Sequence, residues 1–299
     1  MSSRFKKYDQ RIKEILNENS EIKNFEIIKK VNKIENIKSN YYEDKAFSKY
    51  ITRFRKQSNI QIDVPIFKNK KSLAIYPYQN GNPDNILVIG DLHAPFTLPK
   101  YLKFCREQQE IYNCGTVIFI GDIIDNHYSS YHESDPDGHS AGEELDRSID
   151  MIADWYHTFP KATVIIGNHD RLVYRKAYTA GVSKRWIREY KDVLGTNGWD
   201  FVENIELFDI NFNHGEGGTA RNRIKSELQS QVQGHLHTQL YTDYLVGANF
   251  IVWGMQVGCG VDNKSYAMAY GRHYRKPAIG CGVVINKGML PIAIPMKMG

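Results

Sequence analysis

Apolar, β-branched runs alternate with turn-forming residues through the last two-thirds of the chain. Three of these runs cover residues 85–89, 116–120 and 163–166, and a glycine follows each one. Short continuous apolar runs of this kind are typical of buried strands in a parallel sheet. Further runs at 244–257 and 280–294 predict strands that complete the sheets. The pattern therefore predicts an α/β domain in which the glycines allow sharp turns at the strand ends.

The first 80 residues follow a different pattern. Apolar residues recur at three- and four-residue steps in 8–16, 25–31 and 41–55, which predicts helices. A turn cluster, Gln-Asn-Gly-Asn-Pro-Asp at 79–84, ends this part of the chain. We therefore predict two units, a helical module in residues 1–80 and an α/β domain in residues 81–299.

Potential metal ligands are concentrated in short blocks, three of which lie at predicted strand ends. The carboxyl ends of strands form the binding crevice of open α/β sheets, so these blocks are expected to converge in space. No block contains cysteine, which excludes thiolate zinc-finger chemistry and favours mixed nitrogen and oxygen ligands. The blocks are Asp-Leu-His at 91–93, Gly-Asp-Ile-Ile-Asp at 121–125, Gly-Asn-His-Asp at 167–170, His-Gly at 214–215 and Gly-His-Leu-His at 234–237.

These residue types suit the hydrolysis of phosphate esters. Two divalent cations about 3.5 to 4 Å apart polarise a phosphoryl oxygen and activate water. Such a pair needs a carboxylate that bridges both ions and neutral imidazoles that keep affinity without cancelling the positive charge. Asp91 and His93 lie two residues apart and project to the same side of an extended segment, as do His235 and His237. The blocks therefore predict a dinuclear metal site.

In this order, the blocks resemble the DxH, GDxxD, GNHD, single-histidine and GHxH signature of the calcineurin-like metallophosphoesterase superfamily. The resemblance covers residues 85–290 and implies an αββα sandwich, with two central sheets flanked by helices. It implies Mn²⁺ as the first candidate metal, with Fe, Zn, Mg and Ni as alternatives. The implied ligands are Asp91, His93, Asp122 and His237 for the first ion, with Asp122 bridging, and Asn168, His214 and His235 for the second.

The same resemblance gives His169 a role other than metal binding. It would protonate the leaving oxygen or stabilise the transition state, oriented by Asp125. A carboxylate beside a histidine fixes its tautomer and raises its pKa, as a general acid requires.

Two sequence differences from related enzymes narrow the range of expected substrates. Protein serine/threonine phosphatases of this superfamily have an arginine after GDxxD and GNHE as the third block, whereas this chain has Asn126 and Asp170. The arginine clamps a phosphomonoester, so its absence favours the phosphodiesterase and nuclease branch. Residues 125–171 resemble phosphoesterases of bacteriophages and prophages. Alternatives are a phosphodiesterase of a small cyclic or dinucleotide, a phosphomonoesterase, and a DNA-binding regulator with a vestigial hydrolase domain.

Two further residues are candidates for substrate contact. His132 lies in a polar, turn-rich insertion at 126–142, which we expect at the rim of the cleft. Arg171 follows the predicted acid histidine by two residues, where a guanidinium suits a phosphate. For both residues, an ordinary solvated surface position is the alternative.

Charge is unevenly distributed along the chain. Residues 1–80 contain 18 Lys and Arg against 9 Asp and Glu, while the remainder has 21 against 25. A basic module on a phosphoesterase suggests delivery to a polyanion, with nucleic acid as substrate or docking surface. The module resembles a helix-turn-helix with a recognition helix at 43–56. A solvated cap or a dimerisation arm is the alternative. The candidate DNA contacts are Lys45, Lys49, Arg53, Arg55 and Lys56.

The remaining features concern location. No apolar stretch approaches the ~20 residues of a membrane span, and the first residues contain no apolar signal-peptide region. The four cysteines have no CxxC spacing and are expected to be reduced and buried. We therefore expect a cytoplasmic protein without a membrane partner, and the sequence does not determine its oligomeric state.

Overall fold

The structure is a computed structural model that describes residues 5–18, 22, 24–35, 47–48, 50–51, 54, 81–130, 138–262, 264–265 and 276–297. The chain divides into two compact units, Met1–Lys70 and Lys71–Gly299.

The described residues of the first unit include two amphipathic helices, α1 (Asp9–Glu18) and α2 (Asn24–Ile34), with a 3₁₀ turn at Lys6–Tyr8 before them. Their three- and four-residue apolar spacing places one stripe of each helix in a common core, as predicted for 8–16 and 25–31. The five candidate DNA contacts in 43–56 lie outside the described residues. The buried core consists of Ile12, Ile15, Leu16, Ile22, Ile27, Ile28, Val31, Phe47 and Ile51.

The second unit contains two β-sheets. The first has six strands in the order β11-β10-β1-β2-β3-β4. Its strands β1 to β4 are parallel, and β10 and β11 form an antiparallel hairpin at one edge. The strands are β1 (Asn82–Ile89), β2 (Cys114–Phe119), β3 (Ala162–Ile165), β4 (Trp199–Val202), β10 (Gly280–Ile285) and β11 (Leu290–Pro295).

The second sheet has five strands in the order β5-β6-β7-β9-β8. The central strands β6, β7 and β9 are parallel, and the edge strands β5 and β8 are antiparallel to their neighbours. The runs predicted at 244–257 and 280–294 are each an antiparallel hairpin. The strands are β5 (Asn204–Leu207), β6 (Ile210–Asn213), β7 (Ser230–Gln233), β8 (Leu240–Val246) and β9 (Ile251–Val257).

Side-chain alternation along β1 explains the layering. Leu87 and Ile89 belong to a core with Trp155, whereas Ile86 and Val88 belong to a second core with residues of the other sheet. Successive side chains of a strand point to opposite faces, so a continuous apolar run serves two cores at once. The predicted αββα sandwich is thereby confirmed.

Helices cover the outer faces of both sheets. Helices α3 and α4 supply Tyr101, Cys105, Ile152 and Trp155 to the outer core of the first sheet, and α7 contacts β9 of the second sheet. The four cysteines are buried and free. Among the described residues, no helix combines the length and apolar character required to cross a membrane. The helices are α3 (Tyr101–Ile111), α4 (Ala141–Thr158), α5 (Leu172–Thr179), α6 (Tyr190–Leu194) and α7 (Ala220–Glu227).

Candidate metal centre

The five ligand blocks come together beyond the ends of β1, β2, β3, β6 and β7. In one cluster, single ligand atoms of Asp91, His93 and His237 all lie within 4.8 Å of one another. The same holds for a second cluster formed by Asp122, His214 and His235. A group of three such side chains from distant parts of the chain is the arrangement that a divalent cation requires.

In the first cluster, nitrogen and oxygen atoms face one another. His237 Nε2 lies 3.0 Å from Asp91 Oδ2 and 3.2 Å from His93 Nε2. Asp91 Oδ2 also accepts a hydrogen bond of 2.9 Å from the His235 amide. The other oxygen, Asp91 Oδ1, is buried and has no hydrogen-bond partner among the described residues. A buried carboxylate oxygen without a donor is costly unless a cation satisfies it, so this cluster fits a metal.

In the second cluster, His214 is held in one orientation. Its Nδ1 lies 3.0 Å from the Ile120 carbonyl oxygen, to which a protonated Nδ1 donates. Its Nε2 then faces the oxygens of two candidate ligands, Asn168 Oδ1 at 2.9 Å and Asp122 Oδ2 at 3.1 Å. A metal-ligating histidine usually donates a hydrogen bond from one ring nitrogen, and this bond fixes the direction of the other nitrogen.

Asp122 joins the two clusters. Its Oδ2 lies 3.1 Å from His214 Nε2 and 3.6 Å from His93 Nε2, and its Oδ1 accepts a hydrogen bond of 2.8 Å from the His169 amide. Burial raises the pKa of Asp122, but the charge and hydrogen bond of His214 outweigh burial and hold the pKa well below its usual range. The carboxylate is therefore ionised, and it contacts a histidine of each cluster.

The histidines differ in protonation. Burial, and then the charge of His169, lowers the pKa of His93. Burial, and then the charge of His214, lowers the pKa of His235. For His214 burial also lowers the pKa, but Asp122 outweighs burial and raises it to about 10. His93 and His235 are therefore neutral and can act as metal ligands directly, whereas His214 would have to lose its Nε2 proton before it bound a metal.

Asp125 contacts two histidines in different ways. Its carboxylate Oδ1 lies 2.5 Å from His93 Nδ1, and its carbonyl oxygen lies 2.7 Å from His169 Nδ1. The distance from the same Oδ1 to His169 Nδ1 is 3.5 Å. The backbone carbonyl of Asp125 therefore makes the short contact with His169, and its carboxylate makes the short contact with His93, a candidate metal ligand. That Asp125 orients His169 stays a prediction.

Like His237, whose side chain is 23% exposed, His169 is partly accessible. Its side chain is 20% exposed, whereas that of Asp125 is 2% exposed. Burial opposes protonation of His169, but Asp122 and Asp125 outweigh it, so its pKa is raised. With Nδ1 directed at the Asp125 carbonyl, the Nε2–H of the protonated ring remains available to a substrate oxygen.

Backbone conformation also shapes the site. His93, Asp122 and His235 have φ values of 50°, 48° and 67°, in the left-handed region that non-glycine residues rarely adopt. Each such residue costs about 1 to 3 kcal/mol, and such residues cluster at functional sites. Three candidate ligands therefore owe their inward direction to backbone conformations that the rest of the fold enforces.

Two glycines of the blocks are required for space. A Cβ atom on Gly167 would collide with the Asp122 carboxylate, and one on Gly234 would collide with the Asp91 carboxylate. Neither glycine has a positive φ. The sequence pattern predicted sharp turns as the reason for the strand-end glycines, and at Gly167 the reason is instead the close approach of a candidate ligand.

Asn126 and Asp170, the two positions that differ from the protein phosphatases, form hydrogen bonds with the backbone around the third block. Asn126 Nδ2 donates to the His169 carbonyl oxygen at 3.0 Å. Asp170 is buried and accepts hydrogen bonds from the amides of Gly167 at 2.8 Å and Ile124 at 3.3 Å. Burial, and then the charge of Asp122, raises the pKa of Asp170 to about 7. Both side chains thus connect the second and third blocks.

The candidate substrate contacts are less enclosed. The Arg171 guanidinium pairs with Glu203 at 2.7 Å and also with Glu216, and its side chain is 29% exposed. It lies at the edge of the third block with its charge partly satisfied. His132 lies outside the described residues.

One buried group near the site was not singled out from the sequence. Glu144 Oε1 accepts a hydrogen bond of 2.6 Å from the His127 amide. Glu144 is 3% exposed, and burial, together with the charge of Asp125, raises its pKa to about 7. The available signal was its position on α4, four residues before Ser148 and eight before Ile152, on the buried face of the helix.

The fold and the ligand blocks have counterparts among known proteins. A model of the family described as calcineurin-like phosphoesterase matches residues 85–248. No curated protein matches the chain. Vacuolar protein sorting 29 from Cryptosporidium parvum is similar in structure, with 15% identity, 67% of this chain and 83% of that chain covered, and a TM-score of 0.34.

Two other solved structures show comparable similarity. A phosphoesterase from E. coli has 12% identity, with 70% of this chain and 99% of that chain covered and a TM-score of 0.34. A nuclease from Pseudomonas putida has 13% identity, with 69% and 87% covered and a TM-score of 0.34. The family match spans more than half of the 299 residues and contains all five ligand blocks. The chain therefore belongs to the calcineurin-like phosphoesterase family, which implies a hydrolase.

Proposed function

We propose that this protein hydrolyses phosphodiester bonds of nucleic acid with two divalent cations, Mn²⁺ being the first candidate. The observation that carries the proposal is the pair of ligand clusters joined by Asp122, with the partly exposed His169 beside them. Asp91, His93, Asp122 and His237 would hold one ion, and Asp122, Asn168, His214 and His235 the other. The donor set of carboxylates, imidazoles and one amide oxygen suits such metals.

In the proposed reaction, the metal ligands and the residues around His169 have separate roles. Divalent cations held here would polarise a phosphoryl oxygen and lower the pKa of a bound water. His169 donates its Nε2 proton to the departing alkoxide oxygen, while the Asp125 carbonyl holds Nδ1. Asn126 donates to the carbonyl oxygen of His169, and Asp122 accepts from its amide, so both backbone groups of His169 are held. The ring is thereby positioned before the substrate arrives.

Asn126 supports a diester as the substrate. The position that carries a phosphate-clamping arginine in the protein phosphatases has an amide that is engaged with the His169 carbonyl oxygen. Arg171, the arginine nearest to His169 in sequence, is paired with two glutamates. A phosphomonoester dianion needs more positive charge around it than a diester does, so the described surroundings favour the diester.

The basic N-terminal module supports nucleic acid as the partner. Its 18 Lys and Arg against 9 Asp and Glu contrast with the mildly acidic remainder. We propose that it docks on DNA through Lys45, Lys49, Arg53, Arg55 and Lys56. Replacing Lys45, Lys49 and Arg53 by alanine in the full chain should weaken duplex binding and lower its salt slope by about 0.9 for each phosphate that is no longer neutralised. Unchanged binding would instead favour a cap or a dimerisation arm.

The enzymatic proposal is tested on the purified full-length chain. Protein treated with a chelator and reloaded with Mn²⁺ should hold two ions per chain by elemental analysis. It should hydrolyse bis(p-nitrophenyl) phosphate faster than p-nitrophenyl phosphate, and the chelated protein should be inactive. Absence of bound metal together with no metal-stimulated diester hydrolysis would refute the proposal. Faster hydrolysis of the monoester would make it a phosphomonoesterase, and preference for cyclic nucleotides over oligonucleotides would assign it a small messenger.

A further inference from the structure

The segment that follows the third block has an unusual charge. Residues 171–188, here called the basic loop, contain six basic residues and no acidic residue. The whole of residues 81–299 has 21 basic and 25 acidic residues, so positive charge is concentrated beside His169. The basic residues are Arg171, Arg175, Lys176, Lys184, Arg185 and Arg188.

The basic loop is anchored at both ends to the metal-centre side of the domain. It begins directly after Asp170, and beyond its end the Tyr190 hydroxyl donates to the Asp170 carbonyl oxygen at 3.0 Å. The Tyr174 hydroxyl donates to the Arg188 carbonyl oxygen at 3.1 Å, and the rings of Tyr174 and Tyr190 lie 5.2 Å apart. Helix α5, with eight residues, is about 12 Å long. The loop is therefore a braced segment that starts two residues after His169 and is tied, just beyond its end, to Asp170, the residue next to His169.

Two large aromatic side chains lie open on this segment. Trp186 is 84% exposed and Tyr178 is 87% exposed. Their basic neighbours Lys176, Lys184 and Arg185 are also exposed. Exposed aromatic rings between cations form the combination that binds single-stranded nucleic acid, because the rings stack on bases and the cations contact the backbone.

We propose that the basic loop binds single-stranded nucleic acid and guides the strand to His169. This inference rests on the proposed function, because it names the substrate of the same site. A single strand is favoured over a duplex because Trp186 and Tyr178 need unpaired bases on which to stack, whereas a duplex hides its base faces. Charge complementarity identifies the partner as a polyanion, and the aromatic rings identify it as one with exposed bases.

A kinetic experiment separates this inference from the proposed function. The triple variant Lys184→Ala, Arg185→Ala and Trp186→Ala is compared with wild type, both loaded with Mn²⁺, on a single-stranded oligonucleotide and on bis(p-nitrophenyl) phosphate. We expect KM for the oligonucleotide to rise at least ten-fold, with kinetics on the small diester unchanged within two-fold. A variant with Lys100→Ala, Lys103→Ala and Tyr244→Ala removes the same charge and an exposed aromatic residue elsewhere, and it should behave as wild type.

Binding measurements distinguish stacking from charge. Anisotropy of a labelled oligonucleotide is measured on the full-length chain carrying His169→Ala, which slows cleavage. Adding Trp186→Ala should weaken single-strand binding about ten-fold and leave duplex binding unchanged. Adding Lys184→Ala and Arg185→Ala should flatten the single-strand salt slope by about 1.4, which is about 0.7 for each phosphate that is no longer neutralised.

The outcomes are distinct. If neither the small diester nor the oligonucleotide is hydrolysed, the proposed function fails, while the anisotropy still decides whether the loop binds a strand. If both are hydrolysed and the triple variant matches wild type, the basic loop is not a strand-binding surface. Equal losses on duplex and single strand would overturn the single-strand assignment. An equal loss in the control variant would mean that general surface charge, rather than this loop, attracts nucleic acid.

Discussion

The metal centre and the basic loop are only two residues apart in sequence, yet the charged groups of the first are buried and those of the second are exposed. At the centre, Asp122, Asp125 and His93 have side chains at most 2% exposed, and each charge or ring nitrogen faces a partner. On the loop, Arg175, Lys184 and Arg185 are exposed to solvent. Charges that are buried interact strongly with one another, whereas exposed charges are screened. The buried groups therefore suit the proposed hydrolysis, and the exposed cations suit the proposed recognition of a long charged chain.

Replacement of His169 by alanine should give the largest effect. The Nε2–H of this partly exposed ring is the proposed proton donor, so kcat for a diester should fall about 10²- to 10⁴-fold. Metal content, measured by elemental analysis, should remain that of wild type. His157→Ala, an exposed histidine on α4, is the matched control and should keep full activity. Retained turnover in His169→Ala would show that another group acts as the acid.

Glu144 tests how strongly burial acts next to the centre. Its folded-state pKa of about 7 lies above its ordinary value of 4.5, so its protonated form favours folding. The favourable contribution is complete below pH 4.5 and is lost as the pH rises through 7. Glu144→Gln lacks this titration, so relative to wild type its free energy of unfolding should gain up to about 3 kcal/mol from pH 4.5 to pH 8.

Urea denaturation across this pH range measures the difference. Glu143→Gln alters the neighbouring exposed carboxylate and should give a nearly constant difference from wild type. If the curves of Glu144→Gln and wild type stay parallel, Glu144 is not a buried titrating group.

Replacement of Asp125 tests whether its carboxylate supports His93 or His169. Because the carboxylate contacts His93 and only the carbonyl makes the short contact with His169, Asp125→Asn should weaken metal affinity about 10- to 100-fold. At saturating metal, kcat should fall by less than metal affinity does, because the Asp125 carbonyl still contacts His169 and only the charge that helps raise its pKa is lost. Metal titration with activity readout separates the two effects, with exposed Asp146→Asn as the control. A fall in kcat at saturating metal that equals or exceeds the loss of affinity would show that the carboxylate acts mainly through His169.

Arg171 should give the smallest effect of the four. Its pairs with Glu203 and Glu216 are partly exposed, and such pairs contribute about 0 to 1 kcal/mol. Arg171→Ala should therefore lower the free energy of unfolding by less than about 1 kcal/mol in urea denaturation. Turnover of the small diester should be unchanged. A rise in KM for that diester of more than ten-fold would instead make Arg171 a direct substrate contact, as the sequence suggested.

Much of the fold was accessible from local patterns. The runs at 85–89 and 116–120 are buried on both faces, and that requirement leaves a continuous β-branched signature in the chain. The run at 244–257 located its first strand only in part, because β8 begins four residues earlier, at Leu240, and is at most half-buried, which leaves a weaker apolar pattern. The helices of the first unit were visible from their three- and four-residue spacing.

The site was predictable only in part. Ligand types and their order along the chain are properties of side chains, and these were visible. The contacts of His169 with the Asp125 carbonyl and of His214 with the Ile120 carbonyl involve backbone atoms, which every residue carries. Gly167 is a similar case, because its lack of a side chain matters only when Asp122 lies beside it.

By itself, the sequence determined which chemical groups this protein can present: carboxylates, imidazoles and one amide at strand ends, and a cluster of cations and aromatic rings just after them. Tertiary structure alone decided which groups meet. It placed Asp122 between His93 and His214, and it directed the Asp125 carboxylate to His93. The reason is physical: composition and periodicity are local properties, whereas hydrogen-bond partners, burial and pKa depend on atoms that approach only when distant strands pack together.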